Sequence, residues 1–372
     1  MIDVHSHILN FGCCPDKWLA KLTHIPNIEY FLRLPFAKNL IQFMTWIYHW
    51  GKYSKTEEMI EIFTTHLFDV GNILRAELDE AKVKLTTPLM MDMDYATKKY
   101  HKAELDYGTQ IEIMKRIASN HYGVIMPFIG FDPRRMDSPE LVVFSLINKG
   151  MLGIKMYPKL GFHPSPQSTV NSRQVNSRLH NIYEYCVAEQ IPITTHCSPG
   201  GAYSEDLIGK KEERNTYVHP TAWEEVLKLY PILRLNLGHG GGDLHKDGNT
   251  WNSYACTLAN KYENVYFDLA YHGEAHTDKE IYFSRLHSKR IPHNKVLLGT
   301  DWSMIRHTYT IKEFIQPFKD NIKPVIKNKV FYENAIKFLF PEKRIPDRIM
   351  LALDKTPSDT PVWLQTQFDK LN

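Results

Sequence analysis

The fold class predicted by this 372-residue sequence is α/β: a closed (β/α)8 TIM barrel with a helical insertion after strand 1 and a C-terminal tail packed outside. Three observations predict it. Eight short apolar, β-rich runs recur along the chain, helix-like segments separate them, and several runs end in a histidine or an aspartate. From the second run onward the spacing is roughly 30–40 residues, the size of a βα unit. An open doubly wound sheet also accommodates eight strands, but the residues at the strand ends favour the closed ring. The expected organisation is one barrel domain over residues 1–372, with the insertion at about 8–82.

The expected strands are residues 1–5, 83–91, 122–129, 152–157, 191–196, 232–239, 264–269 and 295–301. Several are continuous apolar stretches, as in Gly123-Val124-Ile125-Met126-Pro127-Phe128-Ile129-Gly130 and Lys295-Val296-Leu297-Leu298-Gly299-Thr300-Asp301. Strands buried on both faces of a parallel sheet read this way. Helices are expected over 138–148, where Ser138 can cap and Pro139 sits at the first helical position, and over 176–189 and 220–229. Residues 8–82 are too long for one crossover helix. Their middle, 30–53, is dense in aromatics: Phe31, Phe36, Phe43, Trp46, Tyr48, Trp50. An amphipathic membrane-surface helix is one reading. Arg33, Pro35 and Lys38 interrupt the stretch and no basic stripe accompanies it, so a helical insertion over the barrel mouth or against another subunit, as in a homodimer, fits better. The tail after Phe340 is rich in Pro, Lys and Asp and is expected to wrap the outside of the barrel.

Composition excludes several function classes. Forty-five Lys and Arg against 42 Asp and Glu give a net charge of +3, too balanced for a dedicated nucleic-acid binder. No apolar run is long enough for a membrane span, and the N-terminus lacks a signal-peptide pattern. Five cysteines without a CxxC pair argue against a disulfide scaffold or a zinc ribbon, and a cytoplasmic location is expected. Histidine, at 18 residues, is the unusual count.

The placement of those histidines carries the chemistry. His5-Ser6-His7 ends the first run, and alternation along a strand puts residues i and i+2 on the same side, so both imidazoles can reach one ion. Run five stops at His196, run six at His239 and run eight at Asp301. In a closed barrel, C-terminal strand ends converge on one mouth. Three imidazoles and a carboxylate suit Zn²⁺, with Mn²⁺ or Fe²⁺ as alternatives. A divalent ion with an open position lowers the pKa of its water and polarises a carbonyl, and an adjacent carboxylate is a natural base.

These motifs, together with Gly153-Ile154-Lys155-Met156-Tyr157-Pro158, Thr195-His196-Cys197, Leu237-Gly238-His239-Gly240-Gly241, Leu298-Gly299-Thr300-Asp301-Trp302, Phe131-Asp132-Pro133-Arg134 and Glu333-Asn334-Ala335, resemble the amidohydrolase superfamily. More narrowly they are similar to its amidohydrolase-2 branch, which holds metal-dependent hydrolases and enzymes of the aminocarboxymuconate-semialdehyde decarboxylase type. The likeness covers residues 1–8 and 84–340; the insertion lies outside it. It implies that His5, His7, His196 and Asp301 hold the metal, that Asp301 also accepts a proton from its water, and that His239 orients the water or polarises the substrate. In two-metal members the strand-six histidine, here His239, binds a second ion.

Lys155 stays open between three readings: a carboxylated lysine bridging two ions with His239, an ammonium that binds a substrate carboxylate, or a lysine paired with an aspartate such as Asp92. One ion is favoured over two. Lys155, Tyr157, Arg134 and Trp302 are expected to contact substrate, with His219 a further mouth residue. Asp268 is expected to support a ligand from behind. Cys197 should point away from the mouth, Cys13 and Cys14 have no matching ligand pair, and the glycines around His239 should allow close backbone approach rather than cradle a phosphate. The leading functional expectation is hydrolysis of an amide, ester or lactone of a small molecule by metal-activated water, with Asp301 and His239 catalytic. The alternative is metal-dependent non-oxidative decarboxylation of a small carboxylic acid; a non-catalytic metal- or ligand-binding barrel is remote.

Overall fold

The computed structural model describes residues 1–15, 18, 55–97, 103–242, 244 and 250–371. Eight strands appear in the expected order: β1 Ile2–Ser6, β2 Leu85–Pro88, β3 Phe128–Phe131, β4 Gly153–Met156, β5 Ile193–His196, β6 Leu235–Gly238, β7 Val265–Asp268 and β8 Val296–Leu297. β1 pairs with β2, and β3 to β8 form a six-stranded sheet in sequence order, every pairing parallel. Isolated parallel bridges join the two sets. Thr86 meets Ile125 and Leu89 meets Phe128 on one side, and Ser6 meets Trp302 on the other. The Val4 N–H also donates to Leu298 O at 2.9 Å, tying the first strand to the last.

Seven of the eight strands are shorter than the apolar runs suggested, two of them for identifiable reasons. The third run was expected from residue 122, yet β3 begins at Phe128, directly after Pro127, which has no N–H to offer a ladder. The eighth keeps only two ladder residues because the Thr300 N–H turns to the Asp3 carboxylate at 3.0 Å. Helices Ser138–Asn148 and Pro220–Leu229 match expectation at both ends, and the third expected helix runs Arg173–Ala188.

The insertion divides into parts with different jobs. Helix Leu67–Ala81 packs against helices Tyr107–Asn120 and Ile311–Asn321, in the outer ring of the barrel. Helix Thr56–Thr64 instead lies on the turn Met304–His307 that follows β8. The aromatic stretch 30–53 falls outside the described residues. Past Phe340, helices Asp347–Ala352 and Val362–Leu371 bury Ile345, Ile349, Met350, Leu353, Leu364 and Phe368 against Ile2, Leu85, Phe128 and Leu152. The tail therefore seals the end of the barrel where the strands begin, opposite the mouth. Arg348 anchors it by donating to the carbonyls of Leu146 and Leu152 at 2.8 and 2.7 Å. No helix among the described residues is long and apolar enough to cross a membrane.

Candidate active site

Asp3 and His5 share one parity of β1, His7 continues it one residue past the strand's end, and all three are buried. His5 Nδ1 lies 2.9 Å from Asp268 Oδ2 at the end of β7. Asn236 Nδ2 donates to the same oxygen at 2.7 Å, and the backbone N–H groups of His239 and Ala270 donate to Oδ1 at 2.8 and 3.0 Å. Burial alone would raise the Asp268 pKa; the His5 ring and these donors outweigh it and hold the carboxyl well below its ordinary range. A carboxylate so engaged fixes the proton on His5 Nδ1 and leaves the Nε2 lone pair facing inward. His7 is set the same way, its Nδ1 donating to Leu89 O at 2.8 Å.

Both Nε2 atoms face Asp301, at 3.6 Å for His5 and 3.2 Å for His7. One ligand atom from each of His5, His7 and Asp301 lies within 4.8 Å of the others. His5 Nε2 is buried with no hydrogen-bond partner, the condition of a nitrogen that lacks its cation. Burial also lowers the His5 pKa to about 4, so the ring is neutral and able to ligate. Burial would raise the Asp301 pKa, but the neighbouring His7, His239 and His5 rings outweigh it and hold the carboxyl below its ordinary value. These residues fit a divalent cation. A second grouping, His5 with His239 and Asp268, is close enough on distance but not on chemistry, because Asp268 already accepts from four donors.

Backbone geometry makes room for this cluster. A Cβ on Gly238 would sit 2.9 Å from His5 Cε1, and one on Gly299 would sit 2.8 Å from His5 Cβ, so both neighbours of the His5 ring must be glycine. Asp3 was missed in the sequence, although its spacing from His5 and His7 exposes it. It accepts from the His5 N–H at 3.1 Å and from Thr300 Oγ1 at 2.7 Å, placing β1 and the Asp301 turn in one frame. Burial pushes its carboxyl up to about 7.

The other expected site residues divide. His239 and Tyr157 line a cavity of about 320 Å³ together with His7, His196 and Asp301. His239 Nδ1 donates to Ala270 O at 3.1 Å, which leaves its Nε2 as an acceptor. His196 departs from expectation: it does not join the His5, His7 and Asp301 group. Its Nε2 donates to Gly200 O at 2.9 Å, so Nδ1 is its one lone pair, and its ring stacks on Tyr157 at 4.5 Å. Lys155 is buried and absent from the cavity wall. Its Nζ has no hydrogen-bond partner, lies 5.6 Å from the Tyr157 ring centre, and is pushed down to about 8 by burial against the pull of Asp268 and Asp301. The pairing of Lys155 with Asp92 is excluded, because Asp92 takes a bidentate Arg135 at 2.6 and 2.8 Å.

Two expected substrate contacts are corrected. Trp302 is fully buried behind the site, its Nε1 donating to Glu77 at 3.0 Å, and a residue facing the helix ring cannot face a ligand. Arg134 is held by Asp132 at 2.5 Å beside Tyr95 and does not reach the wall of the cavity. Conversely Tyr271, His272 and Met304 line the cavity and were not foreseen. The His272 signal was present in the sequence, four residues past the end of β7, but lay in a loop whose course periodicity does not predict.

Asp268 supports a direct test. In Asp268→Asn the amide can donate to His5 Nδ1, which moves the proton to Nε2 and blocks the ligand position. Divalent-metal affinity, measured by chelator competition, is expected to fall by about 10–100-fold; unchanged affinity would remove Asp268 from this role.

Among known proteins, the amidohydrolase family model (amidohydrolase-2) matches residues 2–340. No curated protein matches significantly. An uncharacterised TIM-barrel protein from Bordetella bronchiseptica superposes with a TM-score of 0.55 at 14% identity, covering 95% of this chain and 99% of its own. A 5-carboxyvanillate decarboxylase from Novosphingobium aromaticivorans, complexed with manganese and 4-hydroxy-3-methoxy-5-nitrobenzoic acid, gives 0.58 at 13% identity over 91% and 95%. A 2,6-dihydroxybenzoate decarboxylase from Rhizobium gives 0.54 at 14% identity over 91% and 98%. These likenesses establish the barrel fold, and the family match agrees with the metal-ready histidines at its mouth. The chain belongs to the amidohydrolase-2 family and is a metal-dependent enzyme with a (β/α)8 barrel.

Proposed function

We propose that this protein is a non-oxidative decarboxylase of a small carboxylic acid, with hydroxylated aromatic acids the first class to test. The observation that carries the reading is the cavity wall. No Lys or Arg side chain lines it among the described residues, and Leu9, Met91, Ala202 and Met304 make it largely apolar around a floor of His7, His239 and Asp301. A carboxylate that must leave as CO₂ is destabilised in such surroundings, whereas a site built to retain one would offer a cation. The decarboxylases of hydroxylated aromatic acids that share this fold support the same class. Hydrolysis at a two-ion site would need Lys155 as a bridge, and Lys155 lies off the wall.

His5, His7 and Asp301 would hold the ion, Zn²⁺, Mn²⁺ or Fe²⁺ by donor type. When bound, it supplies positive charge that anchors oxygen anions of the substrate and draws electron density from the reacting system. Asp301 accepts the proton of a substrate hydroxyl and returns it to the carbon bearing the carboxylate. That carbon's bond to the carboxylate then breaks, its electron pair returns to the carbon framework, and CO₂ leaves. His239 Nε2 accepts a hydrogen bond from a substrate hydroxyl, and the Tyr157 ring, stacked on His196, forms a flat wall for a planar acid. The test incubates Mn²⁺- and Zn²⁺-loaded protein with a panel of hydroxybenzoates and, separately, with esters, lactones and amides. CO₂ release from an aromatic acid with one ion per chain is expected. Turnover confined to the hydrolytic panel, with two ions per chain, would overturn the proposal.

A further inference from the structure

His239 has a backbone φ of +64°, a left-handed conformation that a non-glycine residue holds only when its surroundings impose it. Both peptide groups beside it are held by hydrogen bonds. Its N–H donates to Asp268 at the end of β7, and its carbonyl accepts from His272 Nε2 at 2.9 Å and from the Gly242 N–H at 2.7 Å. A carbonyl oxygen only accepts, so His272 carries its proton on Nε2. The other ring nitrogen, Nδ1, lies 2.8 Å from the hydroxyl of Tyr282 and in that tautomer must accept from it. His272 and Tyr282 are both buried, and Tyr282 stands on helix Lys279–Leu286, outside the loop it steadies.

From this chain we infer that His272 and Tyr282 are a positioning pair. Tyr282 sets the tautomer of His272, His272 holds the carbonyl of His239, and the held backbone aims His239 Nδ1 at Ala270 O and Nε2 at the cavity. Neither residue needs to touch a reacting atom. The inference rests on the proposed function only for the consequence in turnover; the control of His239 geometry stands apart from it.

The test therefore has two readouts. The first is the tautomer of His239 in metal-free protein with ¹⁵N-labelled histidine, read by long-range ¹H–¹⁵N correlation. The wild type should show the proton on Nδ1. His272→Leu should give an averaged pattern, Tyr282→Phe a partial change, and His272→Gln, whose amide can donate to the same carbonyl, a return to the wild-type pattern. The second is turnover of 2,6-dihydroxybenzoate, or of whichever hydroxybenzoate is decarboxylated. kcat should fall by about 10²-fold in His272→Leu with KM nearly unchanged, and His272→Gln should recover most of it. An unchanged His239 tautomer in His272→Leu, or in Tyr282→Phe should the leucine variant not fold, overturns the pairing. An altered tautomer with undiminished turnover supports the pairing and overturns only the catalytic role of His239.

Discussion

Asp301→Asn is expected to lower kcat by about 10²–10⁴-fold, the range of a positioned acid–base group. Asparagine keeps the shape of aspartate, and the Asp301 N–H would still donate to His5 O at 2.7 Å, so the turn after β8 should survive. What disappears is a group able to take a proton and give it back. The side chain also loses its negative charge beside His5 and His7, so ion content should fall together with rate. Steady-state kinetics, metal analysis and a thermal melt on one preparation separate the effects. A folded variant that retains its ion and more than a tenth of its turnover would show that the proton travels by another route.

Ending the chain at Phe340 is expected to abolish folding. Ile345, Ile349, Met350, Leu353, Leu364 and Phe368 would be lost from the apolar seal at the strand starts. At about 1.5–3 kcal/mol for each buried side chain, their removal costs roughly 9–18 kcal/mol. Whole proteins have only ~5–15 kcal/mol in hand. The shortened chain would also expose Ile2, Leu85, Phe128 and Leu152 to water. Solubility and far-UV circular dichroism against the full chain measure the outcome. A soluble truncated protein melting within a few degrees of the full chain would mean the tail is ornamental.

The sequence was legible where a single residue type has one physical meaning. Short apolar, β-rich runs located all eight strands, Ser138-Pro139 marked a helix start, and His5-Ser6-His7 with Asp301 marked residues that come together in the structure. It was less legible where the partner decides. Trp302 follows Asp301 directly, but its direction depends on Glu77, far away in the chain, and Arg134 is turned by its neighbour Asp132. His196 sits at the predicted strand end, yet its Nε2 is claimed by carbonyls of a loop that no periodicity describes. Residues 8–82 were read as one insertion because they are too long for a single crossover helix, whereas helix Leu67–Ala81 belongs to the barrel's outer ring.

The link between Asp3 and Thr300 joins positions 297 residues apart. During synthesis, at ~5–20 residues per second, the strand bearing His5 and His7 emerges roughly 15–60 seconds before the turn that completes the site. Over that interval the nascent chain presents two histidines and an uncovered apolar strand with no β8 to pair with. Assembly of the metal site is thus a late event, gated by the arrival of the far end of the chain rather than by the folding of its beginning. A ribosome stalled shortly before residue 300 would hold most of the barrel's sequence and none of its chemistry.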